Sequence, residues 1–261
     1  MYEKIAENFL KNNGCLLLNH RVVKINHQNN KIKSIVISNK SKQKTISSDS
    51  YISSMPITEL VQRLSPQPPK EIIQASKNLH YRSFVTASLV LSSSEPFPDT
   101  WIYVHSPEVK IGRVQNFKKW SHFMVSDPDK IALGVEYFCT EGDELWSMTD
   151  KDLIELALTE LEKIKLIKKS DYLDGFVVRA EKAYPVYDSS YPKNIKLVKE
   201  YLANFKNLIS IGRGGLFKYN NMDHSILTGL YAAENLLGAS HNLEEVNADQ
   251  EYQEEKTENG D

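Results

Sequence analysis

The sequence predicts a mixed α/β (α+β) chain in which one domain is left and later re-entered. Three observations carry this: strand-like runs interleave with amphipathic helical stretches, composition changes near residue 80 ahead of a strand-rich middle, and helices separated by short strands return after residue 175. The expected division is residues 1–65 and 175–240 in one domain, 66–174 in a second, and 241–261 as an acidic, disordered tail.

The elements follow from local pattern. Ile5, Phe9 and Leu10 mark an opening helix that ends near Gly14. Leu16–Leu18 and Val22–Asn26 are expected as short strands, and Ile32, Ile35 and Ile37 lie in the strand returning from a Gln28–Lys31 turn. Tyr51–Met55 reads as a strand halted by Pro56, which has no N–H for the ladder. Residues 57–64 and 70–78 read as helices separated by Pro66, Pro68 and Pro69. The middle is strand-rich: Phe84–Leu91, Trp101–His105, Arg113–Phe117 and Ile131–Phe138. Leu153, Leu156, Ala157, Leu161 and Ile164 predict an amphipathic helix over Asp150–Ile167. Then come a strand over Gly175–Glu181, a helix over Tyr191–Phe205, a short strand at Leu208–Ile211, a glycine-containing loop, and a helix over Asp223–Leu237.

Composition excludes several classes. Apolar residues at 41 % and charged residues at 25 % are ordinary globular usage, and the net charge of −2 provides no general affinity for nucleic acid. The charge is polarised: 12 Lys/Arg against 5 Asp/Glu in residues 1–80, and 8 Asp/Glu against one Lys in 241–261. Cys15 and Cys139, the two cysteines, stand far apart, which argues against a disulfide scaffold or Cys-rich zinc site and fits a reducing compartment. The longest mostly apolar stretch, Phe84–Leu91, is far short of the ~20 residues that cross a bilayer. The start of the chain has no signal-peptide pattern, and a cytoplasmic location without a membrane span is expected.

The seven histidines (20, 27, 80, 105, 122, 224, 241) show neither HxxxH nor HxH spacing, so no metal site is expected. No G-x-S-x-G elbow occurs. The informative stretch is 208–238. Gly212, Gly214 and Gly215 crowd a loop after a strand, Asp223 is placed to cap the next helix, and Gly229, Ala232 and Ala233 permit close approach to it. Such a helix end concentrates N–H donors and partial positive charge, suiting a phosphate or a group that turns anionic during reaction. A glycine turn joining a core strand to a core helix is the plainer alternative. A dinucleotide fingerprint fails, because the third glycine would fall on Phe217 and no G-x-G-x-x-G occurs elsewhere.

The ordered set of these pieces resembles the C-terminal portion of the flavin-dependent amine oxidase superfamily, which includes protoporphyrinogen oxidase and UDP-galactopyranose mutase. Gly212-Arg213, Asn221-Met222-Asp223 and Gly229–Ala233 resemble its last flavin motif, whose helix N-terminus faces the flavin pyrimidine ring. The strand containing Val22 resembles the one contacting adenine, and Tyr51–Pro56 resembles the strand that returns to the cofactor domain. Ala183-Tyr184-Pro185-Val186-Tyr187 resembles the strand before the last helix. Arg213, where many amine oxidases carry an acidic residue, brings this motif nearest to the mutase branch.

The resemblance spans about residues 2–238 and implies an incomplete, Rossmann-like FAD-binding domain with a strand-rich substrate domain. The family's opening βαβ phosphate unit has no counterpart in the 261 residues. Val22, Pro56, Gly212, Arg213, Asn221, Met222 and Asp223 are the implied cofactor-binding residues, for a non-covalent FAD bound weakly or not at all by this chain alone. The implied activity is that of an FAD-dependent oxidoreductase on a small-molecule substrate. The alternatives are a mutase-type reaction on a nucleotide sugar and a non-catalytic fragment or interaction module. Either self-association or a complementary N-terminal half is expected as partner, since a lost sheet neighbour exposes apolar surface.

Substrate-side candidates each have a second reading. Arg113, Asn116, Lys118, Lys119 and Trp120 form a cationic run that suits a diphosphate or a flat ring, or else an exposed sheet edge with a packing Trp. Tyr184 and Tyr187 are expected to share one strand face, lining a site or packing a sheet. His224 suits either acid/base contact or an exposed first turn, while Glu136, Glu141 and Asp143 read as solvated or structural. The flavin assignment hangs on whether the amides opening the last long helix are left for a ligand or plugged by side chains.

Overall fold

The computed structural model describes residues 1–40, 42–92 and 96–247. In chain order its elements are α1 (Tyr2–Lys11), β1 (Arg21–Gln28), β2 (Lys31–Asn39), β3 (Lys42–Ile46), β4 (Tyr51–Ser53), α2 (Ile57–Arg63), β5 (Leu64–Ser65) and α3 (Lys70–Lys77). They continue with β6 (Tyr81–Leu91), β7 (Trp101–Tyr103), β8 (Arg113–Asn116), α4 (Phe117–Trp120), β9 (Ile131–Cys139), α5 (Glu144–Ser147), α6 (Asp150–Lys163) and β10 (Tyr172–Pro185). Last come α7 (Tyr191–Leu202), β11 (Leu208–Ser210), α8 (Gly212–Leu216) and α9 (Met222–Leu236). The class is mixed α/β, as its sequence pattern predicts.

The chain divides into two compact units, Met1–Leu79 with Tyr187–Asp261, and His80–Val186. The joins therefore fall at 79/80 and 186/187 rather than 65/66 and 174/175. The physical reasons are that α3 packs on α2 and α7, and that β10 runs to Pro185 as the partner of β6.

In the first unit β3-β2-β1-β5 form a four-stranded sheet, and β4 pairs in parallel with β11 in a two-stranded one. Ile25, Ile32 and Ile37 are the buried residues of β1 and β2, and Ile57, Leu60 and Val61 of α2 are buried too. A buried Asn207 fastens the first sheet to the approach to β11. Its Oδ1 accepts from Ile32 N–H at 2.8 Å, and its Nδ2 donates to Ile32 O and Asp49 O, both at 3.0 Å. Leu16–Leu18 is not a strand: no partner lies beside it among the described residues, and the three leucines are 44, 41 and 69 % exposed. A polar tail from 241 is corrected in part. Residues 241–247 carry a 3₁₀ turn over Leu243–Glu245 and a buried Val246, whereas 248–261 lie outside the described residues.

In the second unit the order is β10-β6-β9-β8-β7, all antiparallel. Strict alternation along β6 puts Val85, Ala87, Leu89 and Leu91 on the buried face. There Ala87, Leu89 and Leu91 join Leu133, Val135, Val114 and the Ala157, Leu158 and Leu161 stripe of α6, while Val85 packs with Cys139 and Leu153. Thr149 caps α6 by accepting from Asp152 N–H. Tyr137 O–H donates to the buried Glu160 Oε2 at 3.1 Å, so that carboxylate enters the core with a partner.

Candidate functional site

In the first unit, three pieces predicted from the sequence converge. Ile211 N–H donates to Ser53 O at 2.9 Å, extending the β4–β11 pairing to the point where both strands end. The chain then turns through Gly212 at φ +70°, a conformation that favours glycine, and its N–H donates to Thr228 Oγ1 of α9 at 3.0 Å. The expected glycine loop is in fact the short helix α8, closed by Phe217 at φ +53°. Gly215 allows α8 to lie against the end of β4, since a Cβ there would sit 2.8 Å from Ser53 O.

Val22 of β1 and the Ser54-Met55 segment leading to Pro56 line one apolar cavity of about 280 Å³, together with Ile25, Ile32, Ile35, Tyr51, Ile52, Leu60 and Leu208. The second edge of β4 has no pairing strand among the described residues.

The start of α9 departs from expectation in its cap. Asn221, not Asp223, is the N-cap. Its side chain accepts from His224 N–H while His224 Nδ1 accepts from Asn221 N–H at 3.2 Å, a reciprocal capping box. Asp223 is displaced to the second helical position, where its carboxylate is solvent-exposed. His224, a candidate acid/base, is thereby engaged in the cap. The box occupies the amides of Asn221 and His224, and among the described residues no acceptor is placed on the N–H of Met222 or Asp223. Arg213 Nε donates to Asn220 O at 2.8 Å, tying α8 to the turn before α9.

Tyr187 belongs to this unit and not to the strand of Tyr184, because β10 ends at Pro185. Its O–H donates to Phe217 O at 3.3 Å, and its ring meets those of Tyr191 (4.4 Å) and Tyr219 (5.1 Å). Burial in this cluster pushes the Tyr187 phenol up to about 12, with Tyr191 adding to the effect.

In the second unit, Arg113, Gln115, Glu136, Trp101 and Tyr103 line one face of the sheet, as the register Arg113↔Glu136, Trp101↔Gln115 and Tyr103↔Arg113 requires. β8 is therefore interior, and β7 is the edge. Glu136 is buried at 2 % exposure rather than solvated. It accepts from Arg113 Nε at 2.8 Å and Nη2 at 2.6 Å, and also from Gln115 Nε2. Arg113 reaches Tyr184 O–H at 3.5 Å. Burial works against the guanidinium charge, yet Glu136 beside it more than offsets this and its pKa stands above the ordinary value. Trp120 stacks on Trp101 at 5.0 Å, both indoles about half exposed. Lys118 is spent on the carbonyls of Pro128 and Lys130, Asn116 is buried, and Asp143 caps α5. Sequence reasoning missed the Glu136 bridge and the Trp101 partner, which only the strand register reveals.

Among the described residues no group of three His, Cys, Asp or Glu side chains is placed to hold a metal ion, and no helix is long and apolar enough to cross a membrane. The family model described as flavin containing amine oxidoreductase matches residues 1–237. The chain belongs to that family. Among solved structures, reduced UDP-galactopyranose mutase superposes with a TM-score of 0.79 at 19 % identity, covering 95 % of this chain and 53 % of that one. A protein of Exiguobacterium sp. 255-15, provisionally assigned as a protoporphyrinogen oxidase, gives 0.67 at 18 % identity, with 90 % and 50 % covered. An oxidoreductase of Methanosarcina mazei gives 0.61 at 15 %, with 89 % and 53 % covered. At these identities the likeness is one of fold, and the chain spans about half the length of these structures. Among curated protein sequences nothing matches.

Proposed function

We propose that this member of the flavin amine oxidoreductase family carries the ring-binding end of an FAD site, and that it serves an FAD-dependent oxidoreductase acting on a small molecule. The observation that carries the reading is the pair of N–H groups at Met222 and Asp223 that the capping box leaves for a ligand. When bound, a flavin supplies a two-electron acceptor that gains negative charge as it is reduced. The α9 amides and the partial positive charge of the helix end favour that charge by about 0.3–1 kcal/mol. Gly212 and Arg213 orient the turn, and Val22 with the Ser54–Pro56 segment offers the apolar wall for the rest of the group. The residues fit the ring and the adenosine side, while the 261 residues contain no glycine phosphate loop. FAD binding by this chain alone is therefore weak or absent.

Further chain completes the site, either a complementary N-terminal half or a second copy. Support comes from the β4 edge with which no strand of the described residues pairs, the exposed Leu16–Leu18, and α1, which buries no residue although Tyr2, Ile5, Phe9 and Leu10 share one side. Met222, Ile226 and Leu230 add an exposed stripe on α9, which Tyr2 O–H meets at Met222 Sδ. Within the second unit, substrate contact is assigned to the face that bears Arg113, Trp120 and Tyr184. A cytoplasmic location accords with the free thiols of Cys15 and Cys139.

FAD titration of the full chain, read by flavin fluorescence and by light scattering, tests this. Met222→Pro removes one donor at the first helical position, where proline is tolerated and where the extended Asn221 (ψ −177°) accommodates it. It is expected to weaken FAD about 3- to 10-fold without lowering Tm. Where the wild-type chain binds measurably, equal affinity for both chains would sink the ring assignment, and stoichiometric FAD on a monomeric wild-type chain would sink the need for completion. A mutase-type reaction on a nucleotide sugar is the second reading, favoured by the fold likeness to UDP-galactopyranose mutase. Turnover of a UDP-sugar under reducing, anaerobic conditions without net redox change would select it.

A further inference from the structure

We infer that residues 239–247 are a strap that fixes the turn opening α9, with Lys218 as the positioning residue through which it acts. What this does for flavin rests on the reading of α9 above; the strap itself does not.

The strap begins where Gly238, at φ +108°, turns the chain back from the end of α9. His241 docks on the helix it has just left: its N–H donates to Asn235 Oδ1 at 2.7 Å, Asn235 Nδ2 donates to His241 O at 2.9 Å, and its ring stacks on Tyr231 at 4.1 Å. Glu244 then pairs with Lys199 of α7 at 2.7 Å, and Val246 is buried. These contacts place two backbone carbonyls over the Lys218 ammonium, which donates to Glu244 O at 2.6 Å and Val246 O at 3.0 Å. Asn247 Nδ2 closes the far end on Tyr219 O at 3.1 Å.

The segment so held has little regular backbone support of its own. Phe217 is left-handed, and Lys218–Asn221 lies between two helices. Its order comes from its surroundings: Lys218 N–H to Arg213 O at 3.1 Å, Arg213 to Asn220 O, and the strap. Tyr219, Asn220 and Asn221 follow Lys218, so that residue stands four positions before the first of the amides assigned to the ligand. Burial lowers the pKa of that ammonium, although Glu244 opposes the shift, so the charge is held partly out of water. A charged donor in that setting makes hydrogen bonds roughly twice as strong as neutral ones. The strap is otherwise polar, and Leu243 and Val246 are its apolar anchors. Ordering nine such residues is not repaid by burial alone, so the strap depends on its polar contacts, those of Lys218 among them.

Hydrogen exchange by mass spectrometry on the full chain tests this without any flavin present. Lys218→Met keeps the stem and removes the donor, Val246→Asp unseats the strap from its other side, and Lys218→Arg restores a charged donor. Both disrupting variants are expected to exchange about tenfold faster in peptides spanning 217–224, with Lys218→Arg close to wild type and with β6 and β9 unchanged. Unchanged exchange at 217–224 in Lys218→Met would overturn the proposal. So would equal acceleration throughout β1, β2 and the middle of α9, because that is loss of fold. A loosened 217–224 turn with unaltered FAD affinity would uphold the strap and take down the flavin assignment instead.

Discussion

Arg113→Met is expected to destabilise the chain by about 3–5 kcal/mol, the cost of leaving a buried carboxylate without its partner. Glu136 is 2 % exposed and receives two of its hydrogen bonds from the Arg113 guanidinium, at 2.8 and 2.6 Å. Methionine fills much of the same volume but leaves that carboxylate with Gln115 as its remaining side-chain donor. Replacing both partners, Arg113→Met with Glu136→Gln, is expected to recover a large part of the loss, because no unpaired charge stays behind. Urea unfolding of the two single variants and the double variant measures the coupling. A loss below about 1 kcal/mol for Arg113→Met would show that water reaches Glu136 and that the pair is a surface one. The result bears on function, because the same pair fixes the cationic centre of the face on which substrate contact is proposed.

Asn207→Ala is expected to cost about 2–5 kcal/mol. The side chain satisfies both backbone groups of Ile32, which is 1 % exposed, and also the carbonyl of Asp49. Alanine leaves a buried N–H and a buried C=O unpaired, at about 1–3 kcal/mol each. Asn207→Asp is expected to be no better, since a carboxylate would face two carbonyls where an amide donates. Urea unfolding of Asn207→Ala, compared with an exposed helical control such as Asn8→Ala, checks this. A loss within about 0.5 kcal/mol of the control would mean that water replaces the amide. Asn207 stands immediately before β11, so its loss should also loosen the strand that delivers Gly212.

The strands and helices with strong periodicity were legible in the sequence. The α6 stripe and the β6 alternation follow from spacing of apolar residues, and the strand expected over Tyr51–Met55 is found over Tyr51–Ser53, ending before Pro56. The order of the flavin-motif pieces was legible too, and the family match over residues 1–237 rests on the same stretch. Leu16–Leu18 misled because strand propensity is a statement about a partner, and no strand among the described residues supplies one. The cap of α9 misled because Asn221 and Asp223 are both good caps; His224, three residues after Asn221, decides between them by closing the reciprocal box.

Tyr184 and Tyr187 separate because residues three apart fall on opposite faces of a strand, and because β10 ends between them at Pro185. Glu136 reads from the sequence as either solvated or structural, because a carboxylate amid apolar residues shows no sign of its partner; the structural reading holds. The Arg113 that neutralises it lies 23 residues away and meets it through strand register. Residues 241–247, expected as the start of a disordered tail, mislead for a similar reason, since their order comes from Lys199 and Lys218, far back in the chain.

Local spacing along the chain was thus enough to establish the class, most elements and the family, because periodicity and turn chemistry act over a few residues. Which polar groups are buried, which amides stay open and which segments clasp one another were decided only in three dimensions. Those outcomes depend on pairs such as Ile32 with Asn207, whose free energy comes from exclusion of water by chain segments 175 residues apart.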